Sequence, residues 1–178
     1  DHSIYSQLKW DYENHDPNGI NNTVNRQNFT WWSHYGYKGR YFADLALVES
    51  ASNRLAPGTK WNFSPTLSAA WIISKENFME DVEWVDFLKL RASAGIINVD
   101  NLPGDEVWSY YAQQYATAGG GYPFDSGWNS EFGRTYLGMM ATANPSHEKA
   151  YKYNVGVDAK FFGGLDVTLD LWKEHRTD

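Results

Sequence analysis

From Trp61 to Ser74 the side chains alternate: Trp61, Phe63, Pro65, Leu67, Ala69, Trp71 and Ile73 share one face, and Asn62, Ser64, Thr66, Ser68 and Ala70 share the other. A period of two is what an extended strand imposes on its side chains. Strands of soluble proteins run about 5 to 6 residues, whereas a tilted strand crossing a bilayer needs about 9 to 11. The run from Trp61 to Ser74 has the longer, membrane-crossing length. The pattern recurs over Tyr41 to Val48 (Tyr41, Ala43, Leu45 and Leu47 against Asp44) and over Phe87 to Ile97 (Leu88, Leu90, Ala92, Ala94 and Ile96 against Lys89, Arg91 and Ser93). Tyr151 to Phe162 sets Tyr151, Tyr153, Val155, Val157, Ala159 and Phe161 against Lys152, Asn154, Asp158 and Lys160, and Leu165 to Trp172 sets Leu165, Val167, Leu169 and Leu171 against Asp166, Thr168 and Asp170. Ser3 to Tyr12 and Phe29 to Tyr37 carry the same alternation less cleanly and bring the count to about seven.

The charges inside these spans, Lys9, Asp11, Asp44, Lys89, Arg91, Lys152, Asp158, Lys160, Asp166 and Asp170, all fall on the polar face. Lipid on one side and water on the other would segregate them so, and so would the dry interior of a two-sheet sandwich. Strand length favours the membrane. So do the aromatics, because Trp10, Tyr12, Phe29, Trp31, Trp61, Phe63, Trp71, Tyr151, Tyr153, Phe161 and Trp172 gather towards strand ends, where interfacial girdles lie.

The connections alternate in length. Lys38-Gly39 and Gly163-Gly164 read as tight hairpin turns, and Lys75 to Val85 reads as a compact acidic link with one helical turn. Residues 13–26, 51–60 and 98–150 are longer links. Outer-membrane barrels have short periplasmic turns and long extracellular loops, so the long links are expected outside the cell. The loop at about 98–150 is too long for a structureless connection and is expected to be functional.

Composition narrows the function. Trp, Tyr and Phe make up 17% of the residues and the net charge is -7, with no basic stripe for a phosphate backbone, so nucleic acid is not an expected partner. Without cysteine the chain has no disulfide framework, thiolate metal site or cysteine nucleophile. His2, His15, His34, His147 and His175 show no paired metal spacing, and no metal or other cofactor is expected. The acidic run Asp100, Asn101, Asp105 and Glu106 lacks calcium-loop spacing, and the strand carboxylates suit a wet lumen better than catalysis, so no enzyme activity is expected. The sequons beginning at Asn21, Asn28 and Asn62 would stay bare in a bacterium.

Recognition chemistry concentrates in the long loop, where Trp108, Tyr110, Tyr111, Tyr115, Tyr122, Phe124 and Trp128 surround Gly119-Gly120-Gly121. Flat rings beside hydrogen-bonding groups suit sugars and peptides. The plainer alternative is that these rings pack the loop against itself or against a covering protein.

Several runs resemble a known family: YKGRYFADLAL, LAPGTKWNFSPTLSAAWIISKENF, FLKLRASAGI, and ANPSHEKAYKYNVGVDAKFFGGLDVTLDLWKEHRTD. They are similar to the C-terminal barrel portion of the SusC/RagA family of TonB-dependent outer-membrane receptors, over about residues 35 to 97 and 143 to 178. The most specific pieces are Arg40-Tyr41-Phe42, Pro65 followed by Ser68-Ala69-Ala70-Trp71, Leu88 to Ser93, Asn154-x-Gly156-x-Asp158, and Arg176-Thr177-Asp178. Two departures are the short Ser146-His147 before Glu148 and Ala94 where an aromatic is common. The resemblance implies an all-β, antiparallel transmembrane β-barrel of about 22 strands plugged by an N-terminal domain, with residues 1–178 a barrel fragment that lacks the plug. It also implies import of oligosaccharides or peptides across the outer membrane of Bacteroidota, driven by TonB, with a SusD-like surface lipoprotein as lid. The expected partners are therefore that lipoprotein, TonB through parts outside this chain, a glycan or peptide substrate, and outer-membrane lipid. The alternatives are a passive porin or adhesin barrel and a secreted carbohydrate-active β-sandwich. Seven strands cannot close a bacterial barrel, so a longer polypeptide is expected.

Overall fold

The computed structural model describes residues 1–16, 23–99, 112–123, 131–142 and 146–177. The described strands are β1 (His2–His15), β2 (Val24–Tyr37), β3 (Tyr41–Ser52), β4 (Trp61–Ile72), β5 (Val85–Val99), β6 (Tyr115–Pro123), β7 (Glu131–Leu137), β8 (Glu148–Phe161) and β9 (Leu165–Thr177). Seven of them form one antiparallel sheet in the order β1-β2-β3-β4-β5-β8-β9, and β6 pairs with β7 in a separate two-stranded sheet. The seven expected strands are all present and most run longer than the alternation alone suggests. In β1 and β2 the added pairs, such as Asn14 with Asn25 and Glu13 with Arg26, are polar on both faces. Ladder hydrogen bonds join backbones whatever the side chains, so pairing continues where the hydrophobic signal lapses.

Register ties the faces together. Trp10 pairs with Phe29, Leu45 with Leu67, Leu67 with Ala94, Ala94 with Tyr153 and Val155 with Leu171, so the apolar rows of neighbouring strands form one continuous surface. That surface is bare: Leu8 is 78% exposed, Leu67 57% and Leu171 80%. Among the described residues, the one large side chain that is fully buried is Leu55, in the link after β3. No second sheet covers the apolar face among the described residues. Each Å² of apolar surface left in water forgoes about 25 cal/mol, a loss that vanishes when the surroundings are hydrocarbon. The sheet is a piece of β-barrel wall.

Two rings of aromatics bound the apolar band. At the long-link end Trp10 stacks on Phe29 (centroids 6.3 Å apart) and Phe29 on Trp61 (6.2 Å). At the short-turn end Tyr37 stacks on Tyr41 and Tyr41 on Trp71, each at 6.2 Å, while Trp84 stacks on Phe161 (5.6 Å) and Phe162 (6.2 Å). Trp61 and Trp71 lie ten residues apart on β4. That is about 33 Å along the strand and about 25 Å along the normal at a tilt of about 40°, the height of a barrel's apolar band. Glu49 breaks the pattern by sitting on the apolar face between its partners Phe29 and Phe63. Trp172 is not a girdle residue: it pairs with Asn154 on the polar face.

Both hairpin turns at the short end place two consecutive residues at positive φ, Lys38 (51°) with Gly39 (62°) and Phe162 (52°) with Gly163 (67°), as a type I′ turn requires. The second turn is centred one residue earlier than Gly163-Gly164. A turn centred there would set Phe162 opposite Asp166; the observed turn pairs Phe161 with Leu165 and keeps both on the apolar face. The Lys75 to Val85 link holds two 3₁₀ turns around it, Ile73–Lys75 and Asn77–Met79, rather than one helical turn. The long link is also more ordered than expected, because β5 reaches Val99, β8 begins at Glu148, and β6 and β7 form a hairpin between them. The β6 run YATAGGGYP has no alternation to read, and its register shifts between Ala118 and Tyr122, across the three glycines.

Candidate functional site

Because the apolar face meets lipid, chemistry is left to the polar face and the long-link rim. On the polar face of β5, Arg91 crosses beneath β8 to reach β9. Its Nε donates to Asp158 Oδ2 (3.1 Å), Nη1 to Asn154 Oδ1 (3.3 Å) and Nη2 to Asp170 Oδ2 (2.7 Å). Asn154 in turn donates from Nδ2 to Asp170 Oδ1 at 3.0 Å, and Lys89 Nζ lies 4.0 Å from Asp158. The crossing is possible because Arg91 pairs with Gly156, where a Cβ would stand 2.6 Å from the guanidinium carbon. The run Asn154-x-Gly156-x-Asp158 is thus a polar clamp with a gap at its centre. Further along the sheet, His34 Nδ1 donates to Asp44 Oδ1 (2.7 Å) and Ser68 Oγ to Asp44 Oδ2 (3.4 Å). Among the described residues the polar face is a hydrogen-bonded wall on which the carboxylates of Asp44, Asp158 and Asp170 are each engaged by a neighbouring strand.

The rim is shaped by one proline. Ile72 N–H points to Arg40 O, on the β3 side of β4. Backbone groups alternate sides along a strand, so Pro65 faces β5, and it has no N–H to donate. The β4–β5 ladder accordingly stops at Thr66 with Gly95, whereas β3 stays paired as far as Trp61. Asn98 closes the gap with its side chain, Nδ2 donating to Phe63 O (2.8 Å) and Ser64 Oγ (2.8 Å). Beside it His147, 5% exposed, meets Asn62. Asn53 pins the neighbouring link by donating to Thr23 O (2.7 Å) and accepting from Asn25 N–H (2.9 Å). Arg26, Asn28, Ser50, Ser52, Asn62 and His147 line a half-open hollow of about 260 Å³ there. Its donors and acceptors can hold a polar ligand.

Of the residues expected to recognise substrate or lid, Tyr115 opens β6 and is exposed, and Tyr122 lies near the end of the same strand. Trp108, Tyr110, Tyr111, Phe124 and Trp128 lie outside the described residues, as do Asp100, Asn101, Asp105 and Glu106. Among the described residues no group of three or more His, Asp or Glu is placed to hold a metal ion. Asn53, Asn98 and His147 were not singled out from sequence as rim residues. They act as single side chains in irregular or end-of-strand positions, where no period marks them.

No family model matches the chain. It is 28% identical over 137 residues to the TonB-dependent receptor SusC of Bacteroides thetaiotaomicron, covering 73% of this chain and 12% of that protein. It is 27% identical over 147 residues to the TonB-dependent receptor P39 of Formosa agariphila, covering 81% of this chain and 13% of the relative. The chain therefore spans about an eighth of the length of these relatives. Solved structures of the RagAB peptide importer, in its closed-closed and open-open states, share the fold with a TM-score of 0.70 at 16% identity, covering 88% of this chain and 16% of the other.

Proposed function

We infer that this chain, a stretch of the outer-membrane β-barrel wall of a SusC/RagA-type TonB-dependent receptor, serves a protein that imports nutrient oligosaccharides or peptides across that membrane with energy delivered through TonB. The observation that carries the reading is the likeness to SusC over 73% of the chain, on a sheet whose apolar face is bare and whose polar face is hydrogen-bonded. In this reading the long-link end faces outward. The rim hollow and the β6–β7 hairpin lie at the mouth, and Trp108, Tyr110, Tyr111, Tyr115, Tyr122, Phe124 and Trp128 capture substrate or seat a SusD-like lipoprotein. The chemistry is binding and gating, not catalysis.

The test is uptake by cells carrying the full-length gene. Accumulation of labelled oligosaccharide or peptide that stops when TonB is deleted supports the reading; accumulation that continues without TonB makes the barrel a passive porin. The Trp108→Ala, Trp128→Ala double variant separates the roles of the link. Weaker uptake with unchanged barrel yield assigns the rings to substrate, and loss of lipoprotein co-purification assigns them to the lid. Normal results in both assays leave them packing the link.

A further inference from the structure

The rim of β8 and β9 treats its charges differently on its two faces. On the polar face each base is paired: Lys152 Nζ lies 3.5 Å from Glu174, and Arg176 meets Glu148 at 3.2 Å and Glu174 more closely. On the apolar face, Lys149 and Lys173 are exposed and stand with no ion pair among the described residues. Between them lie Tyr151 with His175, rings 6.5 Å apart, and Tyr153 opposite Lys173. No carboxylate occupies that face of either strand from Tyr151 to Phe161 or from Leu165 to His175.

Height fixes what lies opposite these lysines. Measured from the Phe161 and Leu165 pair at the base of the hairpin, Lys173 is eight residues up and Lys149 twelve, about 20 Å and about 30 Å along the normal at a tilt of about 40°. They straddle the edge of an apolar band of about 25 Å, where lipid headgroups begin. A strand added beyond β9 would pair along its edge and leave this face clear. We propose that Lys149 and Lys173, framed by Tyr151, Tyr153 and His175, hold the phosphate-bearing headgroup of a membrane lipid in the leaflet at the long-link end. Ammonium groups supply the counter-charge, and the phenol rings flank the acyl–headgroup boundary. The site is separate from the import path, being continuous with the lipid-facing surface and turned away from the lumen.

The full-length receptor can be reconstituted in nanodiscs of phosphatidylcholine with a minor fraction of phosphatidylglycerol, and the lipids it retains counted by native mass spectrometry. Wild type should retain phosphatidylglycerol several-fold above its bulk fraction. The Lys149→Gln, Lys173→Gln variant should lose at least threefold of that enrichment, and the double Lys→Arg variant should keep it, which also controls for folding. Lys152→Gln, on the polar face, should leave it unchanged. Equal enrichment in wild type and the double Gln variant overturns the proposal, as does an equal loss in Lys152→Gln. Abolition of the enrichment by inorganic phosphate would reassign the lysines to a soluble anion and overturn it as well.

Discussion

At the scale of single residues, Gly156 and Glu76 carry the most consequence. Gly156 is kept small by a neighbour and not by its backbone angle, since the Arg91 guanidinium lies where a Cβ would stand. Gly156→Ala should cost about 1 to 3 kcal/mol, the range for overpacking a filled site, in a urea titration of the full-length barrel. In an Arg91→Ala background the same change should cost almost nothing, because the obstacle is gone; an undiminished cost would show that Gly156 matters for another reason. Glu76 sits outside the spanning strands and gathers the short-turn girdle. Its Oε1 accepts from Trp71 Nε1 (2.9 Å) and its Oε2 from Arg40 Nη1 (3.0 Å). Hydrogen bonds from Tyr41, Trp71 and Arg40 hold its carboxyl below the ordinary glutamate range, outweighing desolvation. A depressed folded value means that the unfolded chain binds its proton first. The contribution is therefore complete above the ordinary range and lost as pH falls through the folded value. Unfolding midpoints measured over that acid interval should fall more steeply in wild type than in Glu76→Gln; parallel curves would remove Glu76 from the balance.

At the scale of elements, alternation and register make one claim about which face meets lipid. Leu67 and Ser68 are adjacent on β4, but one is exposed on the apolar face and the other donates to Asp44 on the polar face. Leu67→Arg should destabilise the barrel by about 2 to 4 kcal/mol, the cost of a cation near the bilayer midplane, and Ser68→Arg by much less. Equal costs in a folding titration would undo the assignment. The β4–β5 ladder and its Asn98 bridge make a second claim. Asn98→Ala should speed amide exchange at the upper ends of β4 and β5 while leaving β3 protected, because Pro65 removes a donor only on the β5 side.

At the scale of the whole molecule, the sheet separates a short-turn end from a long-link end, and the two should lie on opposite sides of the membrane. This stretch has no cysteine, so within it a single one reports cleanly. Cysteine placed at Thr59, in the exposed link after β3, should react with an impermeant thiol reagent on intact cells, and cysteine at Asn77, which opens the second 3₁₀ turn, should not. The reverse pattern would invert the orientation. An open seven-stranded sheet with bare apolar rows is stable only within a larger wall in lipid, so each of these measurements needs the full-length protein.

The sequence alone determined the seven strands, their faces and the likeness to TonB-dependent receptors. Alternation is a local property, enforced residue by residue wherever lipid lies on one side and water on the other, so Leu67 and Ser68 were legible without coordinates. Tight turns were legible nearly to the residue, yet Phe162 took the place of Gly164 because pairing Phe161 with Leu165 decided the register. Tertiary structure decided what depends on residues far apart in the chain. Arg91 meets Asp170 only because β8 lies between their strands with a glycine at the crossing, and no spacing in the sequence encodes that contact. The rim was hidden for the same reason: Asn62 and His147 are brought together across β5, and the glycine-rich β6 gives no side-chain period from which a strand could be read.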